Sequence, residues 1–343
     1  MTERPADFRS DTVTRPTAAM RAAMMAAEVG DDVWGEDPTV IRLEQTLAQR
    51  AGMEAGLFMP SGTQSNLVAL LTHCARGDEY IVGQQAHTYR YEGGGAAVFG
   101  GIQPQPLDAN DFGGLDLDKV VQAIKPDDFH FARTRLLCLE NTMQGKVLPL
   151  DYLKQAQELC REHGLALHLD GARVFNACVK LGVELSTVTG CFDTVSICLS
   201  KGLGAPVGSV LLGPHDFIAQ ARRWRKVAGG GMRQAGLLAA AGLYALDHHV
   251  ERLADDHERA ARLADRLLAA GYRLQRPQTN IMFLEASSLP REQLSAWLAQ
   301  HHVLADCLGR EHIRLVTHLD INDDDIEHAA QVFEHFAEKH IKA

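Results

Sequence analysis

A lysine directly after an apolar run and flanked by small residues is well placed to act as a nucleophile, and Ser200-Lys201-Gly202 follows TVSICL in this chain. Partial burial lowers a lysine pKa and leaves the neutral amine that attacks carbonyl carbon; the plainer reading is a strand-end lysine turned to solvent. Asp170 ends an earlier apolar run, LALHLD. A carboxylate there can pair with a cationic ring nitrogen, or it can simply cap the next turn. The third element is Ser61-Gly62-Thr63-Gln64-Ser65-Asn66, between a short apolar run and the helix-forming NLVALL. Free backbone N–H groups, small hydroxyls and the positive end of a helix make an anion site, although any strand-to-helix turn favours Gly and Ser. The three fit together better than they stand apart. A phosphate cradle, a nucleophilic amine and an acid for the ring nitrogen are what pyridoxal phosphate needs. His87, in QQAHTYRYE, offers a face for the ring to stack on, or is an ordinary surface or core histidine.

The elements that must position these residues alternate between helical and extended signals. Met20, Ala23, Met24 and Ala27 recur at helical spacing after Pro16-Thr17, and Val40, Leu43 and Leu47 do so after Asp37-Pro38, where Asp caps and Pro fits the first turn. Short apolar runs follow at 56–63, 135–142, 165–173, 194–202 and 207–213, several separated by helix-like segments such as 149–163. Continuous apolar strands separated by helices predict a mostly parallel sheet covered on both faces. Ligands of such sheets bind beyond the carboxyl ends of the strands, where this sequence puts Ser61, Thr63, Glu140, Asn141, Asp170, Arg173, Ser200 and Lys201. From about residue 245 a helix-rich stretch, two further strands at 280–286 and 311–318 and a last helix over 323–339 predict a smaller α/β domain. The expected division is an N-terminal arm and helix over 1–30, a large domain over 31–245 and a small domain over 246–343.

Composition bounds the rest. The 343 residues carry 34 Lys and Arg against 44 Asp and Glu, a net charge of −10, so the basic footprint of a nucleic-acid binder is missing. The longest strongly apolar stretch, GLLAAAGLYAL (236–246), is too short to span a bilayer, and the N-terminus reads as no signal peptide. Seven cysteines form no CxxC pair and several sit inside apolar runs, which predicts buried reduced thiols and a cytoplasmic setting. No metal site is expected. The acidic run Asp323-Asp324-Asp325 reads as a helix start.

The chain resembles the low-specificity threonine aldolases, pyridoxal-phosphate enzymes of the aspartate-aminotransferase fold (fold type I). The matching stretches are FRSDTVTRPT (8–17), EVGDDVWGEDPTV (28–40), PSGTQSN (60–66), AHTYRYEGGGAAV (86–98), FHFARTRLLCLENT (129–142), LHLDGARVFNA (167–177), ICLSKGLGAPVGS (197–209), GGGMRQAG (229–236) and IRLVTH (313–318). They run in order along almost the whole chain. The resemblance implies a large domain with a mostly parallel seven-stranded sheet and a smaller C-terminal α/β domain. It further implies cleavage of L-threonine, L-allo-threonine and related β-hydroxy-α-amino acids to glycine and an aldehyde. The rival within the same fold is β-elimination from serine.

Carried over position by position, the resemblance makes Lys201 the lysine that holds pyridoxal 5′-phosphate, Asp170 the partner of its ring nitrogen and His87 the stacking residue. Gly62 and Thr63 would hold the phosphate, and Arg173 would lie near the cofactor hydroxyl and the substrate carboxylate. Ser10 and Arg314 would bind that carboxylate, the guanidinium gripping it bidentately. Lys226 and Arg233 would reach a neighbouring subunit's phosphate site, with Trp34 and Tyr91 lining the same mouth. That implies a homo-oligomer, a dimer of dimers with shared sites. His87, His130 or an ordered water would remove the β-hydroxyl proton. Two departures stand out: DDVWG, where the family commonly has DDVYG, and Glu140-Asn141-Thr142-Met143-Gln144-Gly145, where it commonly has ENTHNG. Trp34 adds bulk without a hydroxyl, and Met143 cannot transfer a proton. Both point to a shifted substrate profile rather than to lost chemistry.

Overall fold

The computed structural model describes residues 4–287, 289–307 and 312–341. Glu311, the first residue of the expected strand 311–318, lies outside the described residues, as do the two termini, 1–3 and 342–343. The strands are β1 (Ala6–Asp7), β2 (Ala55–Met59), β3 (Asp78–Gly83), β4 (Gln103–Leu107), β5 (Arg133–Glu140), β6 (Ala166–Gly171), β7 (Thr194–Cys198), β8 (Ser209–Gly213), β9 (Ile281–Glu285), β10 (Val303–Leu304) and β11 (His312–Val316).

Seven of them form one sheet in the order β2-β8-β7-β6-β5-β3-β4. The pairs β3–β4, β3–β5, β5–β6 and β6–β7 are parallel, while β8 runs antiparallel to both β2 and β7. The expectation of a mostly parallel sheet holds, with one reversed strand. Its cause is local: the link from β7 to β8 contains no helix, and Leu199 N–H donates to Gly208 O at 2.9 Å to close a tight return. Parallel neighbours need a long crossover, whereas an antiparallel pair does not.

Helices cover both faces as the start signals predict. Asp37 caps Pro38–Ala51 by accepting from Thr39 N (3.1 Å) and Val40 N (3.0 Å), with Pro38 at the first position and Gly52 left-handed at the end. Asp37 also accepts from Gly236 N at 2.8 Å and so ties this helix to Gly236–His248. The largest hydrophobic core, from Met20 to Leu253, packs on the sheet face that carries Phe58, Ile81, Leu137, Leu167, Val195 and Val210, and two smaller ones, around Tyr80 and Val82 and around Leu57 and Leu211, pack on the other. A second, separate core gathers Leu263, Leu267, Ile313, Phe333 and Phe336 under the antiparallel pair β9–β11. Ala6 and Phe8 belong to that second core, because β1 pairs in parallel with β10. The chain's beginning therefore crosses to its end, which carries Ser10 and Asp11 over the edge of the main sheet. None of the seven cysteines is bonded to another; six are buried. Among the described residues no helix is long and apolar enough to cross a membrane.

Candidate active site

The carboxyl ends of the parallel strands converge on one edge. After β2 the chain turns into the helix Gly62–His73, whose cap Ser61 accepts from Gln64 N at 3.1 Å. Among the described residues the amides of Gly62 and Thr63 have no partner, as the first turn of a helix dictates. β8 begins opposite the end of β2, so Ser209 stands beside this turn; its Oγ is buried without a partner, and a Cβ on Gly62 would lie 3.4 Å from it. Two donors and a hydroxyl facing one spot form an anion cradle.

Asp170 ends β6 and is 3% exposed. Its Oδ1 accepts from Ala172 N at 3.0 Å and its Oδ2 from Asn66 Nδ2 at 2.9 Å. The same Asn66 nitrogen donates to Glu92 Oε1 at 2.9 Å, and that oxygen also meets His87 Nδ1 at 2.7 Å. His87 is anchored from the other side by its backbone N–H, which donates to Glu140 Oε2 at 2.8 Å. The Glu92 hydrogen bond, helped by the charge on Asp170 and opposed by burial, raises the His87 pKa. Burial raises Glu140 above the carboxylate range, and Asp170 adds to that, while the His87 N–H and Lys201 pull it back.

Lys201 follows β7, half-buried, in the loop closed by Gly204 N–H donating to Lys201 O at 2.8 Å. Among the described residues its amine makes no hydrogen bond, yet its charge acts on Asp11, His87 and Glu140. Arg173, just past β6, is held by a bidentate pair to Asp11, Nε to Oδ2 and Nη2 to Oδ1, both at 2.7 Å. Asn280 donates to the same carboxylate at 3.4 Å. Ser10, next to Asp11, caps the following turn, and Arg314 donates to Arg9 O at 3.1 Å and pairs with Asp306 at 3.1 Å. Arg314 Nε is buried without a partner among the described residues, a donor left for a carboxylate.

The structure thus gathers Gly62, Thr63, His87, Asp170, Arg173 and Lys201 on one edge, with Ser10 next to Asp11 and Arg314 tied to Arg9 O. Tyr91 borders His87, ring centroids 5.8 Å apart, and is exposed. Trp34, Lys226 and Arg233 form a separate exposed group. Arg233 pairs with Asp31 at 3.1 Å, and Trp34 is 76% exposed. The Gly229-Gly230-Gly231 turn presses on Gln64 so closely that any side chain at Gly230 would collide with Gln64 Oε1. That group therefore lies against the outer side of the anion cradle. His130 is not brought to Lys201: its ring is 66% exposed and bonded through Nδ1 to Asp128 at 2.6 Å. Met143 is 5% exposed and packs with Tyr80, Val82 and Ala86 beneath the segment leading to His87. A cavity of about 540 Å³ between Arg50, Val183 and Asp247 contains none of these residues.

Sequence reading assigned no role to Glu92, Asp11 or Asn280, placed Asn66 only at the end of the anion loop, and left Glu140 as one more strand-end polar residue. Their parts are fixed by contacts between distant segments, and no local spacing announces them.

The residues present fit pyridoxal phosphate. The orphaned Ser209 hydroxyl and the free amides of Gly62 and Thr63 suit its phosphate, the unpartnered Lys201 amine suits its carbonyl carbon, and Asp170, fixed by two donors, suits its ring nitrogen.

Asp11 is the structural keystone of this edge. Burial opposes its charge, but Arg173, Lys201 and Asn280 outweigh that and hold its pKa at about 2, below the ordinary 3.8. A depressed carboxylate pKa stabilises the fold above the ordinary value, and the benefit fades as pH falls through about 2. Asp11→Ala, which leaves Arg173 buried and uncompensated, is expected to cost about 3–5 kcal/mol at neutral pH. Denaturant unfolding of the two proteins between pH 7 and pH 2 checks both the cost and its narrowing at the acid end.

The β-eliminating lyase family matches residues 7–288. The chain is 56% identical over 324 residues to the low specificity L-threonine aldolase of Escherichia coli (strain K12), covering 94% of this chain and 97% of that protein. It is 44% identical over 345 residues to the probable low-specificity L-threonine aldolase 2 of Arabidopsis thaliana, covering 97% of each. Its fold superposes on the solved Leishmania major threonine aldolase with a TM-score of 0.82 at 23% identity, over 97% of this chain and 100% of that one.

Proposed function

Because this chain belongs to the low-specificity L-threonine aldolases of the β-eliminating lyase family, we propose that it cleaves L-threonine and L-allo-threonine to glycine and acetaldehyde with pyridoxal 5′-phosphate as its cofactor. It is a lyase of PLP fold type I. The observation that carries the cofactor reading is the anion cradle, the Lys201 amine and the Asn66-braced Asp170 meeting at one sheet edge.

Pyridoxal phosphate bound here would supply a sink for the electron pair left at the substrate Cα. Gly62, Thr63 and Ser209 would hold its phosphate, Asp170 would keep its ring nitrogen protonated, and Lys201 would hold the group through its amine. Arg314, with Ser10 and Arg173 nearby, grips the substrate carboxylate and so orients the Cα–Cβ bond. His87 would offer its face to the ring, and its Nε2, the nitrogen not bonded to Glu92, would accept the β-hydroxyl proton directly or through one water. The Cα–Cβ bond then breaks, the aldehyde leaves with its carbonyl formed, and Cα takes a proton to become glycine.

Trp34, Lys226 and Arg233, exposed beside the cradle, support a homo-oligomer in which a second copy completes the mouth of the site. Within one chain His130 points to solvent, so its part as a base would be played in a neighbouring copy's site. Buried thiols support a cytoplasmic setting.

Aldehyde release from L-threonine and L-allo-threonine, measured side by side with pyridoxal phosphate supplied, tests the reading. Release from both is expected. Pyruvate and ammonia from serine with no aldehyde from either substrate would replace it with β-elimination.

A further inference from the structure

Three ligand atoms of His87, Glu92 and Asp170 lie within 4.8 Å of one another. The space between the carboxylates is bridged by Asn66, whose Nδ2 donates one hydrogen to Glu92 Oε1 and the other to Asp170 Oδ2, both at 2.9 Å. An Nδ2 has two hydrogens, so both are spent. The Glu92 side chain is 3% exposed, while His87 is 38% exposed, so the acid is fixed and the imidazole looks outward. Glu92 Oε1 is an acceptor already facing the Asn66 donor, and the 2.7 Å contact to His87 Nδ1 requires a proton on that nitrogen.

We propose that Glu92 is the positioning residue for His87: it keeps the ring proton on Nδ1, so that Nε2 is the basic nitrogen presented to the substrate hydroxyl, and Asn66 locks Glu92 to Asp170. The proposal rests on His87 acting as proposed above and adds the residue that makes it competent. A carboxylate that orients an imidazole and selects its tautomer is a recurring device in proton transfer. Here the same amide that braces Asp170 also braces the histidine's acid, so Asp170 and His87 are tied together through one side chain.

The groups facing His87 are Glu92 and Tyr91 on its own segment, Glu140 from β5, Asp170 from β6 and Lys201 after β7. Among the described residues only Glu92 touches a ring nitrogen.

The test uses cofactor-free protein labelled with ¹⁵N-histidine, His87 being assigned by its loss in His87→Asn. In the unmodified protein the neutral His87 ring is expected as the Nδ1–H form. Glu92→Gln, nearly isosteric, retains that form but lowers the His87 midpoint. Glu92→Ala returns the ring to the Nε2–H form. In the loaded enzyme kcat for L-threonine falls about 10–100-fold in Glu92→Ala, with KM within about threefold, and Glu92→Gln shifts the acid limb of kcat to lower pH. A neutral His87 found as Nε2–H in the unmodified protein overturns the proposal, and so does an unchanged tautomer in a folded Glu92→Ala. Either result with aldehyde release intact leaves the aldolase reading standing. Absent aldehyde release with the Nδ1–H form present overturns that reading instead.

Discussion

Lys201→Ala is expected to lose aldehyde release from L-threonine by about 10⁴-fold or more, the scale on which removal of a covalent group acts. The size follows from the amine's surroundings. Among the described residues it makes no hydrogen bond, so it does not hold up the loop that carries it. That loop is closed by backbone contacts, Gly204 N to Lys201 O at 2.8 Å and Ala205 N to Leu199 O at 3.1 Å, which alanine leaves intact. The variant should therefore fold, its stability changed only by the loss of the Lys201 charge beside Asp11 and Glu140. What it loses is the amine that carries the cofactor and exchanges with the substrate. Borohydride reduction followed by mass spectrometry gives a second readout: the cofactor's mass is fixed to the unmodified chain at Lys201 and is absent from the variant. Full turnover in Lys201→Ala, or label fixed at another lysine, would sink the mechanism.

How much of this was legible in the sequence depends on whether a residue's part is set locally. The strands β2, β5, β6, β7 and β8 are apolar runs and read as such. β3 opens on Asp78-Glu79, and β4 is Gln-Pro-Gln-Pro-Leu, a proline alternation that a central strand would not tolerate; it survives because β4 is the sheet's edge. The reversed β8 was hidden because its direction is decided by the length of a loop. Among site residues, Asp170 and Lys201 end apolar runs, and Gly62 and Thr63 open a helix, so each carries its own signal. Asp11 shows nothing in FRSDT that points to Arg173, 162 positions away. Glu92 and Asn66 likewise meet only because the fold brings a loop and the helix Gly62–His73 to one edge. The resemblance supplied what spacing could not, the parts proposed for Ser10 and Arg314, whereas His87 already reads as a stacking face. The contacts that make those residues competent had to come from the fold.

Asp170→Asn is expected to lower kcat about 10²–10⁴-fold while the protein still folds and still takes up cofactor through Lys201. An asparagine can present its carbonyl to only one of the two donors that now hold Asp170, Ala172 N and Asn66 Nδ2. Its own amide then faces the other donor, and no negative charge remains to keep a ring nitrogen protonated. The same change should move stability in the opposite sense. In the unmodified protein burial raises the Glu140 and Glu92 pKa values, and the Asp170 charge raises both further. A carboxyl whose folded pKa lies above its unfolded value contributes stability that is complete below about 4.5 and is lost as pH rises through the raised value. Removing the Asp170 charge lowers that value and reduces the loss. Cofactor-free Asp170→Asn should therefore lose less stability between pH 6 and pH 8.5 than the unmodified protein does, even as its catalysis falls. Thermal melts of the cofactor-free proteins at the two pH values, beside kcat for the loaded ones, separate the two effects. An equal loss of stability in both proteins would mean that Asp170 does not act on its acidic neighbours, and unchanged kcat would remove it from the ring nitrogen. Both signs come from one cause, the Asp170 charge, which a ring nitrogen requires and which the buried carboxyls of Glu140 and Glu92 oppose.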